Sequence, residues 1–268
     1  MPNFAHDGLC FHYVESGDGL PVVFQHGLGC DLSQIVNLFQ PPPTFRLITM
    51  DARAHGQTQP LGPVEKLGFN TFAEDLVALL DHLGINQAVV GGSSMGAAMA
   101  LNMALRFPQR VQALILYRPC WIDQPLPANA SGYPRIAQCL QQYGAKEGSE
   151  QFRQSDEFQE IFRQSPYVAN SQLSLFYDPR AEETAIKFDR IARDAPCKNL
   201  AELGAIRVPV LVLANRQDPV HPFEYGTILT QAIAGAKFCE VASKSEGEDR
   251  HAADVRAAIT EFLRSSFS

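Results

Sequence analysis

The sequence has no apolar run that approaches the roughly 18 residues needed to cross a membrane. Its opening, MPNFAHDGLCFHYVESGDG, also lacks the basic start and continuous apolar core of a secretory signal. We therefore expect a soluble, cytoplasmic protein that does not act at a membrane. With 22 Lys and Arg against 29 Asp and Glu, the net charge is −7. Such a chain offers no basic stripe for phosphates, so nucleic acid is not an expected partner.

Cysteine is present but too scattered to indicate a metal centre. The six cysteines form no CxxC pair and no Cys/His cluster at the spacing of metal ligands. Each is expected to be a small buried hydrophobic residue. The sequence therefore predicts neither a metal nor an organic cofactor, and its partner is expected to be a small-molecule substrate.

Short apolar runs alternate with helical stretches along most of the chain, the pattern of a mostly parallel sheet covered by helices on both faces. A length of 268 residues suits one such α/β domain. We predict strands at 10–15, 21–25, 45–51, 87–92, 111–117, 208–214 and 236–242. We predict helices at 71–84, with Thr71 and Glu74 as a capping box, at 94–108, after Pro222, and at 253–265.

The alternation stops between residues 121 and 199. This segment is polar, favours helix and is interrupted by prolines, and strong strands precede and follow it. We interpret it as a helical insertion above the sheet, with residues 1–120 and 200–268 forming the core. The sequence shows no internal repeat.

Two adjacent serines lie in GGSSMG (91–96), at the turn between a predicted strand and a predicted helix. A turn sharp enough to present a nucleophile needs residues without bulk two positions before and after it. Ser94 has Gly92 and Gly96 at these positions, whereas Ser93 has a glycine on one side only. Ser94 is therefore the predicted nucleophile of a G-x-S-x-G elbow.

A serine hydroxyl needs a histidine to accept its proton and an acid to orient that histidine. On this type of fold the acid follows a later strand and the histidine follows the last one. Asp218 and His251 occupy these places, with His251 expected just before the terminal helix. The rival base is His221, three residues after Asp218, which we expect to be a loop or pocket residue.

A reacting carbonyl also needs amide donors for the negative charge that develops on its oxygen. The backbone N–H of Met95 lies at the start of a helix, where the dipole assists. The loop HGLG (26–29) follows an early strand, and its glycines allow close approach to a substrate. The predicted oxyanion hole is therefore formed by the amides of Met95 and Leu28.

These motifs together resemble the α/β-hydrolase superfamily. The resemblance rests on HGLG (26–29), DARAHGQT (51–58), GGSSMG (91–96), RFPQRVQALIL (106–116), VPVLVLANRQDPVHP (208–222) and His251. It is greatest to the small, capped serine hydrolases. It implies an eight-stranded, mostly parallel sheet, a lid formed by residues 121–199, and the roles of nucleophile, orienting acid and base for Ser94, Asp218 and His251.

The resemblance leaves the reaction open. We expect cleavage of an ester-like bond through an acyl-serine. Alternatives are a carbon–carbon bond hydrolase, a lactonase or a cofactor-free perhydrolase on the same triad, or a ligand-binding receptor with little turnover. The oligomeric state is equally open.

The substrate pocket can be located only by its neighbours in the sequence. The candidate pocket residues flank the elbow, the oxyanion loop and the lid entrance: Cys30, Cys120 and Trp121. The alternative for each of them is plain core packing. Arg118 either meets a substrate carboxylate or pairs with an acid of the lid. The acidic stretch from Glu246 to Asp249 is expected to be a solvated loop; a carboxylate facing His251 would favour its protonated form.

Overall fold

The computed structural model describes residues 2–267. Its strands are Asn3–His6 (β1), Leu9–Ser16 (β2), Gly19–Gln25 (β3), Thr44–Met50 (β4), Ala88–Ser93 (β5), Val111–Tyr117 (β6), Val210–Ala214 (β7) and Lys237–Glu240 (β8). Its α-helices are Ser33–Leu38 (α1), Phe69–His82 (α2), Met95–Arg106 (α3), Gly132–Arg153 (α4), Asp156–Gln164 (α5), Pro166–Leu173 (α6), Ile186–Ala192 (α7), Phe223–Ala232 (α8) and Glu248–Phe267 (α9).

The strands form one eight-stranded sheet in the order β1-β2-β4-β3-β5-β6-β7-β8. The pairs β1–β2 and β2–β4 are antiparallel, and every pair from β4–β3 to β7–β8 is parallel. The predicted mostly parallel sheet is confirmed. Because parallel strands end at the same edge, the loops after β3, β5, β6, β7 and β8 all meet there, where ligands bind in α/β sheets.

Helices cover both faces of this sheet. Along β5, Val89 packs into a cluster that contains Ile35 of α1 and Ile259 of α9, while Val90 packs into the cluster on the opposite face with Leu76 of α2. Successive strand residues point to opposite faces, so strands covered on both sides are apolar throughout. This explains why β5 and β7 are buried at every position.

Two helix starts differ from the prediction. Helix α2 begins at Phe69, two residues before Thr71, and the Phe69 amide donates to the carboxylate of Asp194, 125 positions away, at 2.7 Å. A long-range cap therefore replaces the predicted local capping box. Helix α9 begins at Glu248, so the acidic residues Glu248 and Asp249 lie in its first turn and not in a loop. Their negative charges interact favourably with the helix dipole there.

The segment between β6 and β7 contains α4, α5, α6 and α7, in agreement with its helical composition. It lies against the loops that follow β3 and β4. Lys187 of α7 donates to the Ala54 carbonyl at 3.0 Å, and Arg180 donates to the Gly56 and Thr58 carbonyls. No helix within residues 2–267 has the length and apolar character needed to cross a membrane.

Candidate active site

Ser94 occupies a strained turn between β5 and α3. Its φ is +56° and its ψ is −108°, a backbone conformation that L residues rarely adopt. A Cβ on Gly92 would lie 2.5 Å from the carbonyl carbon of Gly96, and a Cβ on Gly96 would collide with the carbonyl oxygen of Gln25. The glycines are therefore required by close backbone approach, as the sequence predicted for the elbow at Ser94.

The backbone of Ser94 is held in place by a hydrogen bond, whereas its side-chain hydroxyl makes none to the described residues. Its amide donates to the Tyr117 carbonyl at 2.9 Å, which fixes the turn to the end of β6. Its hydroxyl is buried, and it has no hydrogen-bond partner in the described part of the chain. A buried polar atom without a partner is costly, so this hydroxyl is available to a bound molecule.

Two buried histidines shape the loop after β3. His26 donates through Nδ1 to the Gly27 carbonyl at 2.8 Å, and its Nε2 accepts from the Ala52 amide at 3.0 Å. His55 donates through Nδ1 to a carbonyl, and its Nε2 accepts from the Gly29 amide at 3.1 Å. Burial lowers the pKa of both imidazoles. They are therefore neutral structural residues.

The same loop leaves one amide free. The Gly27 amide donates to Gln34 at 2.8 Å, whereas the Leu28 amide has no hydrogen-bond partner among residues 2–267. Met95 is the first residue of α3, and the first amides of a helix have no partner within it. Leu28 lines the same cavity as Ser94. Both predicted oxyanion donors are thus available, although their role stays a prediction.

Asp218, on the loop after β7, is bound by two side chains. Its Oδ2 accepts from Nε of Arg118 at 3.0 Å, and both of its carboxylate oxygens lie 3.0 Å from Nδ1 of His221. Burial alone would raise the pKa of this carboxyl, but Arg118 and His221 hold it well below its usual range. Asp218 is therefore an anion. Arg118 pairs with it instead of with an acid of the segment 121–199, and because Arg118 also lines the cavity that contains Ser94, its contact with a substrate carboxylate stays a prediction.

His251 is not among the residues that line the cavity of Ser94. It is buried in the first turn of α9, not in a loop before the helix, and both of its ring nitrogens have partners. Nδ1 bonds the Ala242 carbonyl and Nε2 bonds the Tyr117 hydroxyl. The structure therefore does not form the predicted Asp218–His251 pair. Because α9 begins at Glu248, its first turn carries the imidazole toward β6 and away from the cavity that contains Ser94.

No carboxylate of the acidic stretch bonds this imidazole in the described residues. Burial is the main reason that the pKa of His251 is lowered to about 4, and Arg118 and Lys244 act in the same direction. The expected effect of a facing carboxylate would be the opposite. Glu248 instead accepts a hydrogen bond from the Tyr167 hydroxyl.

His221 has the arrangement that was predicted for His251. Its Nδ1 lies 3.0 Å from both carboxylate oxygens of Asp218 and 3.1 Å from a guanidinium nitrogen of Arg118. Because a carboxylate only accepts hydrogen bonds, its two contacts favour a proton on Nδ1. This leaves Nε2 unprotonated, and that atom is buried without a partner in the part of the chain described. Burial and Arg118 lower the pKa of this imidazole although Asp218 raises it. A neutral imidazole with a free Nε2 can accept a proton.

Ser94 and His221 line one cavity of about 160 Å³. Its wall combines the elbow, the loop after β3, the ends of β6 and β7, and the segment between them, which contributes Tyr133, Gln172 and Leu175. Pockets for drug-sized ligands span about 300–1,000 Å³. The cavity is smaller than these pockets and therefore suits a molecule below that size.

The tentative pocket residues divide into two groups. Cys30 lines the cavity. Cys120 and Trp121 are buried but are not among its lining residues. Trp121 stacks on Tyr133 with 5.8 Å between ring centroids and donates to the Ala192 carbonyl. The alternative of plain core packing thus describes Trp121 better.

Several residues of the cavity wall have a weak sequence signal or none. His221 is only the rival base in the sequence analysis, although a Pro at the second position of DPVH favours a turn that returns the fourth residue to the first. That turn forms, with the His221 amide donating to the Asp218 carbonyl at 3.2 Å. Lys244 and Gln172 also line the cavity, and no sequence signal distinguished them.

Comparison with known proteins agrees with this architecture. A family model described as the alpha/beta hydrolase fold matches residues 21–246. The chain belongs to this family. This α/β hydrolase is 28% identical over 260 residues to the AB hydrolase superfamily protein YisY of Bacillus subtilis, with 88% of each chain covered.

Other relatives have names that state an activity. The hydrolase is 29% identical over 249 residues to 3-oxoadipate enol-lactonase 2 of Acinetobacter baylyi, covering 84% of this chain and 82% of that protein. It superposes on the enol-lactonase from Burkholderia xenovorans LB400 with a TM-score of 0.75 and 24% identity, covering 98% of this chain and 100% of that one. The predicted fold and α/β-hydrolase membership are confirmed, and the relatives are enzymes.

Proposed function

We propose that this protein is a serine hydrolase that cleaves an ester-like bond of a small molecule through an acyl-serine intermediate. One observation carries the proposal. The unpartnered hydroxyl of Ser94, held in a strained turn, and the unpartnered Nε2 of the Asp218-bound His221 belong to the same cavity. These are the parts that nucleophilic catalysis by serine requires.

In the proposed cycle His221 accepts the hydroxyl proton while Ser94 attacks the carbonyl carbon. The negative charge on the carbonyl oxygen is stabilised by the amides of Leu28 and Met95. His221 then donates its proton to the leaving oxygen, and the acyl-serine forms. Water, deprotonated by His221, attacks the acyl carbon and restores the hydroxyl of Ser94.

Asp218 orients the base in this cycle. Its carboxylate holds Nδ1–H of His221, which keeps Nε2 unprotonated and stabilises the imidazolium that forms when the serine proton is accepted. Arg118 binds Oδ2 of the same carboxylate beside His221 and so fixes its position. We assign the base to His221 instead of His251 because Nε2 of His251 is occupied by Tyr117.

The segment 121–199 acts as a cap in this proposal. Its contribution of Tyr133, Gln172 and Leu175 to the cavity wall would close the site above Ser94. A closed, small site excludes bulk water and strengthens the electrostatic interactions of the oxyanion.

A lactone is a second candidate substrate. The same steps open a cyclic ester without releasing an alcohol, and the similarity to 3-oxoadipate enol-lactonase 2 extends over 84% of the chain. A panel of short linear esters, lactones and β-diketones therefore separates the ester, lactone and carbon–carbon bond reactions, which share the triad.

The test is labelling combined with turnover. We expect hydrolysis of short-chain nitrophenyl esters and covalent labelling of Ser94 by a fluorophosphonate. Ser94→Ala should lose both, whereas Ser93→Ala should keep both. Absence of turnover and of label in the wild type would contradict the proposal and favour a binding protein, and loss on Ser93→Ala alone would assign the wrong serine.

A further inference from the structure

Lys244 brings a cation to the cavity from the loop after β8. It lines the cavity together with Ser94 and His221. Among residues 2–267 its ammonium group has neither a hydrogen-bond partner nor an ion pair. Burial is the main cause that lowers its pKa to about 8, and Arg118 adds to it. At neutral pH the group is still mostly charged. Asp218 and Glu248 act on it only at a distance, so a partly buried cation without a direct partner faces the site.

The remaining lining residues do not supply the missing negative charge. None of the described residues that line this cavity is Asp or Glu. The other cation of the wall, Arg118, is neutralised by Asp218 at 3.0 Å. Among the described residues that line the cavity, Lys244 is therefore the cation without a directly bound carboxylate.

Gln172 is a second, independent sign of a polar ligand. It is 4% exposed, and both polar atoms of its side-chain amide are buried without a partner in the described chain. Most buried side-chain polar atoms have a hydrogen-bond partner. Because Gln172 of α6 lines the same cavity, its amide N–H can donate to an acceptor bound there.

We propose that this cavity binds a substrate that carries a carboxylate, with the Lys244 ammonium as its charge partner and the Gln172 amide as a hydrogen-bond donor. The inference rests on the proposed function, since it names the substrate class of that site. A volume of about 160 Å³ restricts the substrate to a short one, such as a half-ester of a small diacid or a lactone that bears a carboxylate.

Binding of glutarate, a short dicarboxylate, tests the inference without catalysis. Calorimetry on Ser94→Ala should show binding that Lys244→Met, added to this background, weakens about tenfold or more, because a charge-assisted hydrogen bond is lost. Gln172→Leu should weaken it less. Glutaramide, the neutral diamide, should bind equally to both Lys244 forms. Lys237→Met is the control, because Lys237 is exposed on β8 and the same charge is removed.

A second test of the carboxylate site measures turnover. In the Ser94 enzyme, Lys244→Met should raise KM for a nitrophenyl half-ester of glutarate about tenfold and leave nitrophenyl butyrate nearly unchanged. Equal glutarate binding with and without Lys244, or an equal loss of kcat on both esters, would overturn the carboxylate site. Absence of turnover and label, with Lys244-dependent glutarate binding retained, would instead overturn the proposed function and keep the site.

Discussion

Nδ1 of His221 lies 3.0 Å from both carboxylate oxygens of Asp218. The pair is formed within one turn of the chain, between the end of β7 and the start of α8, and Arg118 binds the same carboxylate beside the imidazole. A histidine oriented by an acid, with its other nitrogen available, is what the proposed function requires of its base. In this pair the acid and the histidine are three residues apart, against 33 for the Asp218–His251 pair that the sequence predicts.

The strain at Ser94 predicts that function costs stability. Ser94→Gly should raise the free energy of unfolding by about 1 kcal/mol, because a non-glycine residue in a rare backbone conformation costs about 1–3 kcal/mol, and it should abolish turnover. Ser93→Gly is the matched control. Ser93 belongs to β5, where glycine only weakens the strand. Urea denaturation measures both, and a Ser94→Gly protein less stable than the wild type would refute the strained turn.

Arg118 is predicted to stabilise the fold through Asp218. Arg118→Met leaves a buried carboxylate without its cation, and breaking a buried pair in this way costs about 3–5 kcal/mol. Removing the remaining charge should recover part of the loss, so Arg118→Met with Asp218→Asn should be more stable than Arg118→Met alone. Denaturant unfolding of the three proteins checks this. Equal stability of wild type and Arg118→Met would show that the pair contributes nothing.

His251 is predicted to make the protein sensitive to acid. Its pKa is about 4 in the fold, against about 6.5 in the unfolded chain. The depressed pKa means that the unfolded state takes up the proton first. The contribution of the neutral His251 to the free energy of unfolding is therefore fully present above about pH 6.5. It is lost as the pH falls from about 6.5 to 4, by up to roughly 3 kcal/mol.

The measurement is the free energy of unfolding of the wild type and of His251→Gln at several pH values across this window. The wild type should lose more stability than the variant as the pH falls, because glutamine does not titrate. Parallel curves for the two proteins would contradict the buried neutral imidazole.

Much of the fold and two of the three residues of the proposed triad follow from local sequence. Continuous apolar runs predict β5 and β7 because both faces of these strands are covered, and the paired glycines select Ser94 because the backbone closes on itself there. Asp218 follows from its place after β7. These features depend on neighbours in the chain.

The remaining features depend on tertiary contacts. Helix α2 is capped by Asp194, which the sequence places 125 positions away. Helix α9 starts early enough to turn His251 onto Tyr117 instead of Asp218. Lys244 and Gln172 line one cavity because the fold brings the loop after β8 and α6 to the same place. No periodicity or spacing in the sequence indicates which distant residues the fold brings together.

The choice between the two histidines is decided most directly by kcat/KM for one nitrophenyl ester, measured on His221→Gln and His251→Gln at pH 7.5, where both variants are confirmed to be folded. We predict a loss of about 10³-fold or more for His221→Gln, as for removal of a triad member, and less than about tenfold for His251→Gln. A protein that keeps its activity without His221 and loses it without His251 would contradict His221 as the base.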